Sequence, residues 1–141
     1  MSRVIHIESV GKDRKKISQA IVLAIRELVS QAEPNDMSRD LAAFISLSLE
    51  AIYQTIDMSV AAWEKRGYWL KADRFRLDWA WTGALAKEMR AAVLSEDWPQ
   101  VAAAAVQVAQ KLNTVKVSPN NRLGTPWVGA HQKLSHSNRH A

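Results

Sequence analysis

The chain of 141 residues contains no cysteine, which excludes disulfides, thiol nucleophiles and thiolate metal sites. Helix breakers are few: of five glycines and four prolines, Pro119, Gly124, Pro126 and Gly129 fall beyond residue 112. No apolar run approaches the roughly 20 residues that a membrane span needs. The opening segment "MSRVIHIESVGKDRKK" also lacks the apolar core of an export signal. These absences predict a soluble, cytoplasmic protein with no membrane partner. Acid is missing too, but only from one end. Residues 1–110 carry fourteen Lys and Arg against fourteen Asp and Glu, whereas residues 111–141 carry Lys111, Lys116, Arg122, Lys133 and Arg139 and no acid. The whole net charge of +5 therefore sits in the tail. A segment of one sign points to a polyanionic partner, or to a solvated tail with an incidental bias.

Catalytic signatures are absent as well. The sequence has no phosphate-cradling glycine loop, no H-E-x-x-H and no Glu-x-x-His pair of the di-iron type. His131, His136 and His140 are spaced by five and four, which would suit a metal only on a helix; Gly124, Pro126 and Gly129 just upstream argue for solvated side chains instead. His6 stands alone. An enzyme would have to draw on Glu50, Asp57, Asp73 or Asp78 inside a helical core, and no third group completes such a site. The expectation is a non-enzyme with no cofactor and no metal.

With 48% hydrophobic and 23% charged residues, the composition is that of one globular domain with a substantial core. Periodicity near 100° per residue predicts four helices. The first spans Lys12 to Gln31, with Ile17, Ala20, Ile21, Ala24, Ile25 and Leu28 on one face. The second opens at Asn35, Asp36 or Ser38 and runs to about Arg66, where Gly67 supplies a left-handed stop. The third runs from near Trp69 to Leu94, and the fourth from an Asp97 cap, with Gln100 three residues on, to about Leu112. The predicted fold is all-α: an up-down-up-down four-helix bundle over residues 12–112, an extended segment over 1–11 and an irregular basic tail over 113–141.

The second helix carries two apolar stripes. Leu41, Ile45, Leu49, Ile52, Ile56, Val60 and Trp63 form the first. Phe44, Leu47, Ala51, Met58 and Ala62 form the other, set apart by Ser48, Thr55 and Ser59. A bundle helix buries one stripe, so the second predicts a homo-oligomer interface. The alternative is a wide core covered by Trp127, Val128 and Leu134 of the tail.

"RGYWLKADRFRLDWAW", residues 66–81, places five aromatic side chains among four basic ones, as a nucleic-acid surface would. Helical projection reads most of them as core instead: Leu70, Leu77, Trp81, Leu85, Met89 and Val93 share a face, with Phe75 and Trp79 at its border. Arg74 and Asp78, four apart beside that face, are expected to pair along the subunit seam.

Cations sit badly at the positive end of a helix, yet Lys12, Arg14, Lys15 and Lys16 open the first one. Phosphate contact and simple solubility explain them equally well. Together with Lys111, Lys116, Arg122, Lys133 and Arg139 they make the candidate nucleic-acid-binding set, touching RNA or DNA through phosphates with little sequence preference. Trp127 is the aromatic best placed to stack a base, or to anchor the tail.

Residues 12–112 in order, with "RGYWLKADRFRLDWAWTGALAKEMRAAVLSEDWPQVAAAAVQVAQKL" at their end, resemble the accessory variability determinants of diversity-generating retroelements, relatives of the four-helix proteins encoded in ribosomal-RNA intervening sequences. The resemblance lies in the helix lengths, in Lys71, Ala72 and Asp73 entering helix three, and in Trp98 before an alanine-rich helix four. It implies a basic, pentameric, non-enzymatic barrel that binds a reverse transcriptase and nucleic acid. Arginines that the family places on helix three fall on Ala80 and Ala84 here, and its closing glycine pair and tryptophan fall on "KLNTV". Without the resemblance, the alternative is a helical protein–protein interaction module whose helix-two seam accepts a foreign helix.

Overall fold

The computed structural model describes the backbone of residues 7–139 and the side chains of residues 13–137. Five helices and no strand are found among the described residues: α1 (Ile7–Ser30), α2 (Asp36–Lys65), α3 (Trp69–Leu94), α4 (Trp98–Lys111) and α5 (Ala130–Arg139). Local chemistry sets their ends. Asn35 caps α2 in a reciprocal box, accepting from the Ser38 N–H at 2.9 Å while its own N–H donates to the Ser38 hydroxyl at 3.2 Å. Gly67, at φ +82°, makes the left-handed turn that lets α3 follow α2 after a connection of only three residues. The Asp97 side chain accepts from the Gln100 N–H at 3.3 Å, and Pro99 takes the first turn of α4.

The long α2 is the axis of the molecule and packs against α1, α3 and α5; α4 lies on α3 and touches α1. This explains its two stripes. Leu41, Ile45, Leu49, Ile52, Ile56 and Val60 are buried, as the first stripe predicts, and they pack with Ile21, Met89, Val93, Val101 and Val108 in one core. A helix with neighbours on three sides needs a wider apolar surface than one in a simple four-helix ring.

Three expectations are corrected here. The N-terminal segment is helical from Ile7, so residues 7–11 belong to α1; residues 1–6, including His6, lie outside the described residues. The tail is not irregular throughout: residues 130–139 form α5, which docks on α2 with Ala130 and Leu134 buried, and Trp127, in the turn just before it, is buried as well. Finally, the buried face of α3 departs from the projected one in its first half. Leu70 and Leu77 are 76% and 78% exposed, while Ala72, Thr82, Ala86 and Ala92 are buried with Leu85, Met89 and Val93. Small residues are buried there because α2 comes close. The Ser46 hydroxyl donates to the Ala86 carbonyl at 2.9 Å, and a Cβ on Gly83 would stand 2.9 Å from the Tyr53 ring.

Candidate nucleic-acid interface

Arg14 belongs to the candidate phosphate-binding set, and its surroundings assign it another role. It lies half-buried where α1 crosses α2 and α3, donating to the Ser59 hydroxyl at 3.2 Å and to the Thr55 hydroxyl at 3.4 Å. Its guanidinium carbon stands 4.9 Å from the Phe75 ring centre and 5.6 Å from that of Trp79. Two aromatic faces and two hydroxyls thus solvate the cation in place of water, and burial holds its pKa below the ordinary arginine value. Phe75 is itself one rung of an aromatic ladder. Trp63 meets it edge-on at 4.8 Å, Trp79 follows at 6.3 Å, and Trp81 stacks on Trp79 at 6.2 Å. Most of the aromatic cluster is packing, as expected.

Two of its aromatics are not. Tyr68, the N-cap of α3, and Trp69, its first residue, are 55% and 60% exposed and lie between the exposed Lys65, Arg66 and Lys71. Helix periodicity does not decide their burial, because Tyr68 and Trp69 stand at the very start of α3, where the helix face is not yet packed against a neighbour. Their sequence signal is adjacency to Gly67: a left-handed turn at φ +82° carries the chain around the end of the bundle, away from its core.

The remaining cations are spread over several elements. Lys15 and Lys16 are exposed on α1, Lys111 ends α4, Lys116 and Arg122 are exposed in the segment that follows, and Lys133 is exposed on α5. The structure brings some of them together: the Lys116 carbonyl accepts from the Gln19 side chain at 3.2 Å, one turn from Lys15 and Lys16. Lys16 and Lys133 line one cleft. The side chains of Lys12 and Arg139 lie outside those described. Among the described residues the ion pairs use other cations: Arg39 with Asp36 and Glu96, Arg76 with Glu64 and Asp73, and Arg90 with Glu50. Lys15, Lys16, Lys111, Lys116, Arg122 and Lys133 thus face solvent with no acid bound to them.

The tail takes much of the surface expected to hold a second subunit. Phe44, Leu47 and Ala51 are half-buried beside it, with Phe44 edge-on to Trp127 at 6.4 Å between ring centres. Trp127 is therefore the anchor and not a base-stacking platform. Met58 is 38% exposed and Ala62 half-buried. No ion pair joins Arg74 to Asp78; both are exposed and flank a hollow of about 320 Å³ above Trp63 and Phe75. Lys71 caps Trp63 from 4.6 Å.

Glu50, Asp57, Asp73 and Asp78 are all exposed, so the acids that an enzymatic reading would place in the core stand on the surface. No cluster of metal-ligating side chains occurs among the described residues; His131 and His136 lie on α5, and His140 is outside the described residues. No described helix is long and apolar enough to cross a membrane. No protein-family model, no curated protein and no solved structure matches this chain.

Proposed function

We propose that this helical protein is a non-enzymatic accessory factor that holds RNA or DNA by its phosphates. The observation that carries the reading is the set of exposed cations, Lys15, Lys16, Lys111, Lys116, Arg122 and Lys133, left without acidic partners while Arg39, Arg76 and Arg90 are paired. The exposed Tyr68 and Trp69, beside Lys65 and Arg66, add faces on which bases stack. The scaffold under these groups is α1 to α4 in up-down-up-down order, since connections of three to five residues reverse the chain each time.

The resemblance to retroelement accessory proteins supplies the partner, a reverse transcriptase, and a ring of identical subunits, five in the family. With Phe44 and Leu47 taken up by the tail, the apolar surface left for assembly includes Trp69, Leu70 and Leu77 on α3, beside a smaller patch at Val29 on α1 and Val106 on α4. That same surface supports the second reading, a module whose α3 face accepts a partner protein's helix without nucleic acid.

Filter binding of a single-stranded oligonucleotide at two salt concentrations tests the first reading. Neutralising several phosphates makes log K fall steeply with log salt, by about 0.7 per contact for single strands. Changing Lys15, Lys16 and Lys133 together to glutamine lowers both affinity and slope. Absence of retention at low salt leaves the interaction module as the function.

A further inference from the structure

The cleft between the tail and the bundle has a chemistry that phosphate binding does not use. Its volume is about 430 Å³, within the range of small-molecule sites. Ile17, Phe44 and Leu47 form its floor, and Leu123, Pro126 and Val128 form the wall that the tail contributes. Polar side chains are few: Ser48 within, and Lys16 and Lys133 at the mouth, on α1 and α5. No acid lines it. The acid bonded to this wall is Asp40, and its two oxygens are engaged by the N–H groups of Gly129 and His131 at 3.2 and 3.0 Å.

We propose that this cleft binds a single anionic amphiphile, a medium-chain carboxylate whose hydrocarbon lies between α1, α2 and the tail while its carboxylate meets Lys16 and Lys133. The lining decides the class. A nucleobase would meet almost no donor or acceptor here to replace its bonds to water, whereas an alkyl chain gains by every methylene removed from water. Two unpaired ammonium groups at the mouth attract a negative head and repel a positive one.

Isothermal titration of the full-length protein with octanoate, decanoate and dodecanoate, each below its micelle concentration, tests this. One molecule is expected to bind per chain. Affinity should rise about fourfold with each added methylene until the cleft is full, the factor that follows from about 0.8 kcal/mol per buried methylene. Dodecyltrimethylammonium should not bind, and dodecanol should bind more weakly than dodecanoate. Lys16→Gln and Lys133→Gln should each weaken dodecanoate several-fold. Leu47→Trp should fill the cleft and abolish binding; circular dichroism checks that it folds, and Leu47→Met serves if it does not. Oligonucleotide retention by Leu47→Trp should match that of the parent, which separates this site from the proposed phosphate surface. Equal binding of dodecanol, indifference to both lysine substitutions, or binding to phosphatidylglycerol vesicles but not to monomeric dodecanoate would each overturn the proposal.

Discussion

Arg14 on α1 holds its guanidinium 4.9 Å over the ring of Phe75 on α3, and its nitrogens reach Thr55 and Ser59 on α2. One side chain thus joins three helices. Arg14→Ala removes a stacked cation and the donor to the Ser59 hydroxyl, while the Thr55 hydroxyl keeps its bond to the Ile52 carbonyl at 2.6 Å, so urea unfolding should show a loss of about 2 kcal/mol. Arg14→Lys should recover only part, because an ammonium cannot reach both hydroxyls while lying flat on the rings. Lys15→Gln, one residue on and exposed, should leave stability within about 0.5 kcal/mol. Burial lowers the Arg14 pKa, so the unfolded chain binds its proton more tightly. Any resulting gain in stability appears only as pH rises through the alkaline guanidinium range, leaving this contribution flat from about pH 5 to 9.

Asp40 reaches from α2 to the start of α5, accepting from the Gly129 and His131 N–H groups. It acts as a cap supplied by another helix, placed where the dipole of α5 favours an anion. Asp40→Ala should cost about 1 kcal/mol, and Asp40→Asn less, since the amide oxygen still accepts. Hydrogen exchange should speed up at residues 130–136 while the amides of α2 and α3 keep their protection.

The same pair of segments shows how far the sequence could be read. The ends of α2, α3 and α4 were legible because their signals are local: Asn35 with Ser38, Gly67, Asp97 with Gln100. α5 was not, because its cap is Asp40, about ninety residues earlier. Gly124 and Gly129, both at positive φ, are loop residues, but they do not make the segment beyond them irregular: the helix that carries His131 and His136 starts directly after the second. On α3 apolar side chains occur on nearly every side, so periodicity alone could not select the buried face. Close approach of α2 decided it in favour of Ala72, Thr82 and Ala86 over Leu70 and Leu77. The basic set was legible as charge. Its division into Arg14, spent on packing, and the free lysines was not, since that depends on which residue of the cluster meets Phe75.

Trp127 and Phe44 meet edge-on at 6.4 Å, and this contact holds the tail over the second stripe of α2. Trp127→Ala should cost about 3 to 5 kcal/mol if the whole chain unfolds as one unit. A smaller loss, with α5 amides exchanging early, would mark the tail as a separate cooperative element. Removing residues 118–141 should uncover Phe44, Leu47 and Ala51, raise binding of an apolar dye, and increase the mass seen by light scattering relative to the full chain. A truncated chain that stays monomeric would show that the second stripe is a seat for the tail and nothing more.

Leu70 and Leu77 lie two turns apart on α3, 76% and 78% exposed, with Arg74 between them. Exposed leucines contribute little to the folded monomer, so Leu70→Ser with Leu77→Ser should change unfolding by no more than about 0.5 kcal/mol per site. Met89, fully buried, sets the contrast: Met89→Ala should cost about 2 to 5 kcal/mol. The double serine variant is informative about assembly because it separates surface from core. If subunits meet through α3, sedimentation should show the parent as an oligomer and the variant as a folded monomer at equal concentration. Loss of oligonucleotide retention in that same monomer would mean that several weak phosphate contacts act together across subunits, each copy supplying only a few. Retention unchanged would place the phosphate surface within a single chain, leaving the α3 leucines to a protein partner.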